Sequence, residues 1–261
     1  SAFGGANAPG ANQDLHEQYN GTSWSEGPDL ATSRSSLAGA GTQSANIAFG
    51  GYVSAVSALT EEYNESANVI TAAAWSSGGN LSTIGRYSGA NAGTKNAALY
   101  AGGYAHPLPS PSYPNSTEEY DGSSWSGGGN LNTSQGGTSG CGTLTAGSYA
   151  RGGQDHENYN GTAWTAATDS PSPTRGGAKQ AGTQTANIYF GGEIPGGTYI
   201  NTTLEWDGSS WTTGGNLLIN SAGYGGGIGT QTAAMQAQGY SPATSPSRMT
   251  QVSAYDGSSW S

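Results

Sequence analysis

The chain has 261 residues, 45 of them Gly and 11 Pro, with seven Lys plus Arg against seventeen Asp plus Glu and a formal net charge of −10. So acidic a balance excludes the clustered basic surface from which nucleic-acid binding draws its affinity. Apolar runs of four or five residues fall far short of the roughly 20 that cross a bilayer as a helix, so no membrane insertion is expected, and the single cysteine, Cys141, excludes an internal disulfide framework.

Seven Trp, fifteen Tyr and three Phe recur at fixed places, which separates this low-charge composition from a disordered one. Residues 1–30 open with an apolar stretch ending in Gly-Gly (AFGG, Gly4 and Gly5) and carry YNGTSW, ending at Trp24. Residues 31–80 add the small-residue alternation SLAGAG, then AGTQSAN near Gly41, AFGG closing on Gly50 and Gly51, and a stretched pair, Tyr63 and Trp75. Residues 81–130 repeat the order with AGTKNAA near Gly93, YAGG at Gly102 and Gly103, and YDGSSW at Trp125. Residues 131–170 carry CGTLTAG near Gly142, YARGG at Gly152 and Gly153, and YNGTAW at Trp164. Residues 171–216 carry AGTQTAN near Gly182, YFGG at Gly191 and Gly192, and WDGSSW at Trp211. Residues 217–261 end the series with IGTQTAA near Gly229, a degenerate QAQGY around Gly239, and YDGSSW at Trp260.

Each unit predicts four short strands: a small-residue strand, the strand ending in Gly-Gly, a TEEY-like strand, and one opening on Trp. The Asn-Gly or Asp-Gly between the last two predicts a two-residue type I′ hairpin turn. The period near 47 is a propeller-blade length. Gly-Gly closing the second strand, then Tyr, then Trp opening the fourth, resembles the kelch repeat over essentially the whole chain. The resemblance implies an all-β, six-bladed β-propeller, with the first strand of each blade at the hub and the fourth at the rim. The Gly- and Ala-rich first strands suit a crowded axis, and each Trp is expected to pack between blades with the Tyr of the third strand. Blade 1 lacks a hub strand within these residues, and the expectation is that sequence past Ser261 or before Ser1 supplies it.

The segments from the second Gly to the third-strand aromatic vary in length, and variable loops on a rigid scaffold concentrate binding residues. Their exposed-aromatic candidates are Tyr104, Tyr113, Tyr199 and Tyr240. Arg34, Arg86 and Arg175 share one place in the repeat, filled elsewhere by Gln135 and Ala222, and are candidates either for a structural role, bonding the loops of the adjacent blade, or for binding an anion or carboxylate at the channel mouth. Glu17, Glu61, Glu118 and Glu157, with Glu62, Glu119 and Glu205 beside the same strands, are expected to solubilise the blades and discourage edge pairing. Sequons at Asn20, Asn64, Asn80, Asn115, Asn132, Asn160 and Asn201 are possible glycosylation sites.

His16, His106 and His156 fall in different units without ligand spacing, so neither metal nor cofactor is expected, and no phosphate loop or nucleophile motif occurs. The expected function is non-enzymatic recognition or scaffolding in an extracellular, cell-surface or virion-surface assembly, with other protein subunits or surface glycans as partners. A soluble carbohydrate-binding lectin is the alternative. A galactose-oxidase-like copper enzyme, which the kelch resemblance brings to mind, is the second.

Overall fold

Period-two alternation bounded by fixed Gly turns commits each repeat to strands. The computed structural model of the chain accordingly contains strands and no helix among the residues it describes, which are 1–7, 10–65, 74–82, 85–105, 112–134, 136–137, 139–151, 155–172, 176–220, 226–241 and 248–261. They form six small antiparallel sheets in a ring, the architecture that the repeat predicts.

Blade 2 comprises Ala38–Gly41, Ala45–Phe49, Thr60–Asn64 and Ala74–Ser77, paired in that order, and blades 3, 4 and 5 repeat this four-stranded meander. Among the described residues blade 1 has three strands, Ala2–Phe3, His16–Tyr19 and Trp24–Gly27, which correspond to the second, third and fourth strands of the other blades. Blade 6 has Gly226–Thr230, Ala233–Tyr240 and Arg248–Tyr255, with its rim reduced to a bridge between Tyr255 and Trp260. The hub strands stand side by side, and small residues there are a steric requirement. A Cβ at Gly140 would lie 2.9 Å from Asn91 N, and one at Gly227 2.9 Å from Lys179 Cβ.

The Gly-Gly pairs have a backbone cause: both glycines have positive φ at Gly50 and Gly51 (66° and 99°), and again at Gly102 and Gly103, a conformation that side chains disfavour. The Asp-Gly hairpins differ from the expected two-residue turn. Tyr120 pairs with Trp125, so Asp121–Ser124 forms a four-residue connection in which only Gly122 has positive φ. The Asp121 carboxylate accepts the backbone N–H groups of Ser123 and Ser124, each at 2.8 Å. That local cap replaces the second left-handed residue a type I′ turn would need. The amide of Ser124 foremost pulls the Asp121 carboxyl down to about 2.

The core is a series of joints between blades. Within every blade the third-strand aromatic packs on the rim Trp, from Tyr19 and Trp24 at 5.1 Å to Tyr255 and Trp260 at 5.1 Å between centroids. That pair is pressed onto the preceding blade: Trp125, Tyr120, Tyr100 and Ala98 cover Ile47 and Phe49. Polar bonds fix the register. The indole N–H of Trp125 donates to Thr60 Oγ1, that of Trp164 to Thr117 Oγ1, and that of Trp260 to Thr203 Oγ1, at 3.2, 2.8 and 3.0 Å. The hydroxyls of Tyr120, Tyr159 and Tyr255 donate to Glu62, Glu119 and Glu205 of the preceding blade. Burial first, and then the bond to the carboxylate, raise the Tyr159 and Tyr255 phenols to about 12. Where the preceding blade carries Asn158 instead of Glu, the partner is Trp206, which has no hydroxyl to place.

Two joints replace Thr with histidine. His16 and His156 are buried, each ring bonding through Nδ1 to a carbonyl, Pro28 O at 3.1 Å and Thr168 O at 3.0 Å. The same two carbonyls accept the indole N–H groups of Trp75 and Trp211 from the next blade. Burial holds both imidazoles below the usual His value, against a weaker opposing pull from those carbonyls and from Asp29, Glu65 and Asp169. The unfolded chain therefore takes up protons more readily, so this contribution is complete above the unfolded value of about 6.5 and is lost as the pH falls below it.

Two predictions follow the joints. Trp125→Ala should cost about 3–5 kcal/mol of unfolding free energy in urea, whereas Trp24→Ala, whose indole is half-buried with no preceding blade beneath it, should cost less than half as much. The melting temperature should drop between pH 7 and pH 5, and His16→Thr/His156→Thr, which installs the residue used by blades 2, 3 and 5, should flatten that drop in a calorimetric series.

Candidate functional site

The variable segments between second and third strands share a face with the links that enter each blade, because link and loop are bridged. Ser35 pairs with Tyr52 in blade 2, Gly176 with Glu193 in blade 5, and in blade 3 the pairing extends to a two-stranded ribbon, Arg86–Tyr87 with Tyr104–Ala105. A second ribbon, Glu193–Ile194 with Thr198–Tyr199, stiffens the blade 5 loop. These loops are therefore braced at their roots.

The brace is electrostatic in blades 2 and 3. Arg34 Nη1 donates to Gly50 O and Leu59 O at 2.9 and 2.8 Å, which tie together the two ends of the loop, while Nη2 pairs with Glu61 at 2.8 Å. The other Glu61 oxygen accepts the N–H of Ala31 in the entering link at 2.7 Å. Arg86 repeats the arrangement, donating to Gly102 O and Ser116 O, pairing with Glu118 at 2.7 Å, and lying 5.1 Å from the Tyr100 ring centre. Glu118 also accepts from the N–H and hydroxyl of Ser82, both at 2.6 Å.

These contacts correct two expectations. Arg34 and Arg86 are 0% and 1% exposed and turned into their own blades, rather than standing at the channel mouth. Glu61, Glu118 and Glu157 are buried acceptors rather than solubilising charges; Glu157 takes the N–H and side-chain amide of Asn132. A repeated Arg with a Glu two before the third-strand aromatic could have signalled the pair. Strand alternation does send Glu61 and Glu62 to opposite sides, Glu61 to Arg34 and Glu62 to Tyr120 of the next blade. Arg175, Gln135, Ala222, His106 and the marker Gly153 lie outside the described residues.

Above the braces sit the tyrosines. Tyr104 stacks on Tyr87 with centroids 5.0 Å apart and planes at 18°, and takes Tyr113 edge-on at 5.2 Å. Gly136 lies directly against the Tyr104 ring, where a Cβ would come within 2.7 Å. Tyr113 is 45% exposed. Burial and then Tyr113 raise the Tyr104 phenol above its usual value, while Arg151 opposes them. Tyr199 and Tyr240 meet at 5.4 Å and join the loops of blades 5 and 6. The structure adds two tyrosines to the sequence candidates. Tyr52, 43% exposed, follows its Gly-Gly as Tyr104 does, which was a readable signal; Tyr87 lies in a link, where nothing in the repeat marks it.

Among the sequons, Asn20, Asn64, Asn80, Asn132 and Asn160 are exposed. The side-chain amides of Asn115 and Asn201 donate to Leu131 O and Leu217 O, and that of Asn132 to Glu157, so attachment there would break a bond. Among the described residues no group of three His, Cys, Asp or Glu converges as metal ligands. His16 and His156 are occupied in blade joints. Cys141 is buried in a hub strand, and burial raises its thiol well above the usual range.

No protein-family model matches the chain, and no curated protein matches it.

Breaking one side of the buried brace should show its weight. Arg86→Leu leaves the buried Glu118 carboxylate without its cation and should cost about 3–5 kcal/mol in chemical denaturation, and Arg86→Leu/Glu118→Leu should recover part of that loss.

Proposed function

We propose that the chain is a non-enzymatic, kelch-like propeller that serves as a recognition or structural module, making its contacts through the face of variable loops. One observation carries the reading: buried arginine braces hold the roots of two loops that differ in length and sequence, and the tyrosine cluster of Tyr87, Tyr104 and Tyr113 stands on one of them. A rigid base with an exposed aromatic rim is what selective surface binding requires, since large rings add contact area at little entropic cost.

The proposed partners are other protein subunits of an assembly or surface glycans, in an extracellular, cell-surface or virion-surface setting. The sparse charge and the Gly-, Ser-, Thr- and Asn-rich surface support that setting. A carbohydrate-binding lectin is the second reading, favoured by the exposed Tyr113 edge beside a stacked tyrosine pair, because aromatic faces suit the apolar faces of sugars.

A glycan array and a cross-linking screen against surface extracts test the two. Tyr113→Ala should lower binding at least tenfold with little change in melting temperature, since nearly half of that residue is in solvent and it packs on the edge of the loop cluster. Full retention of binding by both Tyr113→Ala and Tyr52→Ala would remove the tyrosine face from consideration.

A further inference from the structure

Five blades join the third strand to the rim strand through the same four-residue connection, and its first residue is of two kinds. Asp121, Asp207 and Asp256 open it in blades 3, 5 and 6, whereas Asn20 and Asn160, the only two Asn-Gly pairs in the sequence, open it in blades 1 and 4. Both kinds cap the turn alike. Oδ1 of Asn20 accepts the N–H groups of Thr22 and Ser23, each at 2.9 Å, and Oδ1 of Asn160 accepts those of Thr162 and Ala163 at 3.0 and 2.9 Å. The aspartates make the same pairs of bonds at 2.7–2.8 Å.

An asparagine followed by glycine can lose its side-chain amide to its own backbone, when the deprotonated nitrogen of the glycine attacks Cγ. Three features of this turn favour that step. The nucleophile is unengaged, because the N–H groups of Gly21 and Gly161 donate to no acceptor among the described residues. The oxygen that takes up negative charge during the attack already sits between two backbone donors, the arrangement that stabilises an oxyanion. The end state is one that the fold uses three times. There the amides of Ser124 and Ser259 foremost pull the Asp121 and Asp256 carboxyls down to about 2, so the cap favours a charged oxygen over a neutral one.

We propose that Asn20 and Asn160 are sites of spontaneous, backbone-assisted deamidation, which converts their turns to the aspartate-capped form of blades 3, 5 and 6. The assignment rests on the turns and not on the loop-face reading. The bond from the glycine nitrogen to Cγ forms and the Cγ–Nδ2 bond breaks, releasing ammonia and leaving a cyclic imide. Water then adds at Cγ and breaks the new C–N bond, which restores the peptide with Asp in place of Asn. Opening at the backbone carbonyl instead would insert a methylene into the main chain and disturb the pairing of Tyr19 with Trp24 and of Tyr159 with Trp164, whereas opening at Cγ keeps the oxygen that the two amides hold. Both events together take the formal charge from −10 to −12, and each removes the Asn of an N-x-Thr triplet, so this conversion and glycan attachment exclude one another at these residues.

The two sites share the sequence Tyr-Asn-Gly-Thr, so a difference in rate between them is structural. Gly21 is exposed, and a Cβ there would meet nothing within 4 Å, whereas one at the half-buried Gly161 would lie 3.1 Å from Thr145 Cγ2. Ser23 Oγ stands 3.3 Å from the departing nitrogen of Asn20, where its hydroxyl can supply a proton, and blade 4 has Ala163 at that place. Asn20 therefore reacts first.

The test incubates the folded 261-residue chain at mildly alkaline pH beside two synthetic peptides, QYNGTSWS and NYNGTAWT, with the sequences of residues 18–25 and 158–165. Peptide mapping by mass spectrometry should find the amide-to-acid mass shift at Asn20 and Asn160 of the folded chain, at least threefold faster at Asn20, while the two peptides react at equal rates. The normal aspartyl product should exceed the isoaspartyl one at least threefold in the folded chain. Asn20→Asp/Asn160→Asp, which installs the product directly, should melt no lower than the parent. A folded chain still unconverted at both residues when the peptides have reacted fully would overturn the proposal, as would a mainly isoaspartyl product or equal rates at the two sites. A lower melting temperature for the double variant would overturn it equally, because the turn would then reject the product.

Discussion

A blade is a thin sheet with two flat faces, and neither face can be left in water without exposing most of its apolar side chains. The tryptophan that opens each rim strand meets that constraint. In blades 2 to 6 it lies on the preceding blade, its ring excluding water from Ile47 and Phe49 or from their counterparts, and its N–H finds one acceptor on that blade. Apolar burial supplies the stabilisation, and the indole and phenol bonds supply the angle, because a donor left unpaired in such a joint would cost more than the bond itself contributes. Stability in such an array accumulates from neighbour to neighbour, as in other repeat architectures.

The constraint reaches the candidate binding face through the chain path. A blade held by its neighbour fixes the ends of its second and third strands, and the loop between them starts from those ends. Arg34 and Arg86 then gather the carbonyls at both ends of the loop onto one guanidinium. The buried pair with Glu neutralises a charge that burial alone would disfavour, and burial indeed holds the Arg34 guanidinium below its usual pKa. In these two blades the loops differ in the residues beyond the brace.

Blade number and strand order were legible in the sequence because they are written six times, with Trp, Gly-Gly and the hub turn as independent markers. The hairpin differs in detail from the sequence expectation because Asp-Gly and Asn-Gly suit two turn solutions, and the side-chain oxygen of Asp121 or Asn160 chooses the capped four-residue one by accepting two backbone N–H groups, whatever residues follow the Gly. The Arg and Glu columns were visible, but their contact was not. Arg34 and Glu61 are 27 residues apart, and composition makes a charged residue look exposed until its partner is placed. Tyr87 was missed for a related reason: it acquires its role by stacking on Tyr104 from another segment, and neither residue alone signals the pair.

The two histidine joints are three blades apart, between blades 1 and 2 and between blades 4 and 5. In a six-membered ring those positions face each other across the axis. Acidification therefore does not weaken the circle evenly. It loosens the ring along a single diameter and leaves blades 2, 3 and 4 on one side, and blades 5, 6 and 1 on the other, as two arcs. The first arc keeps its Thr and Glu anchors at both inner joints, and the second keeps them between blades 5 and 6, so the ring has a built-in line of parting.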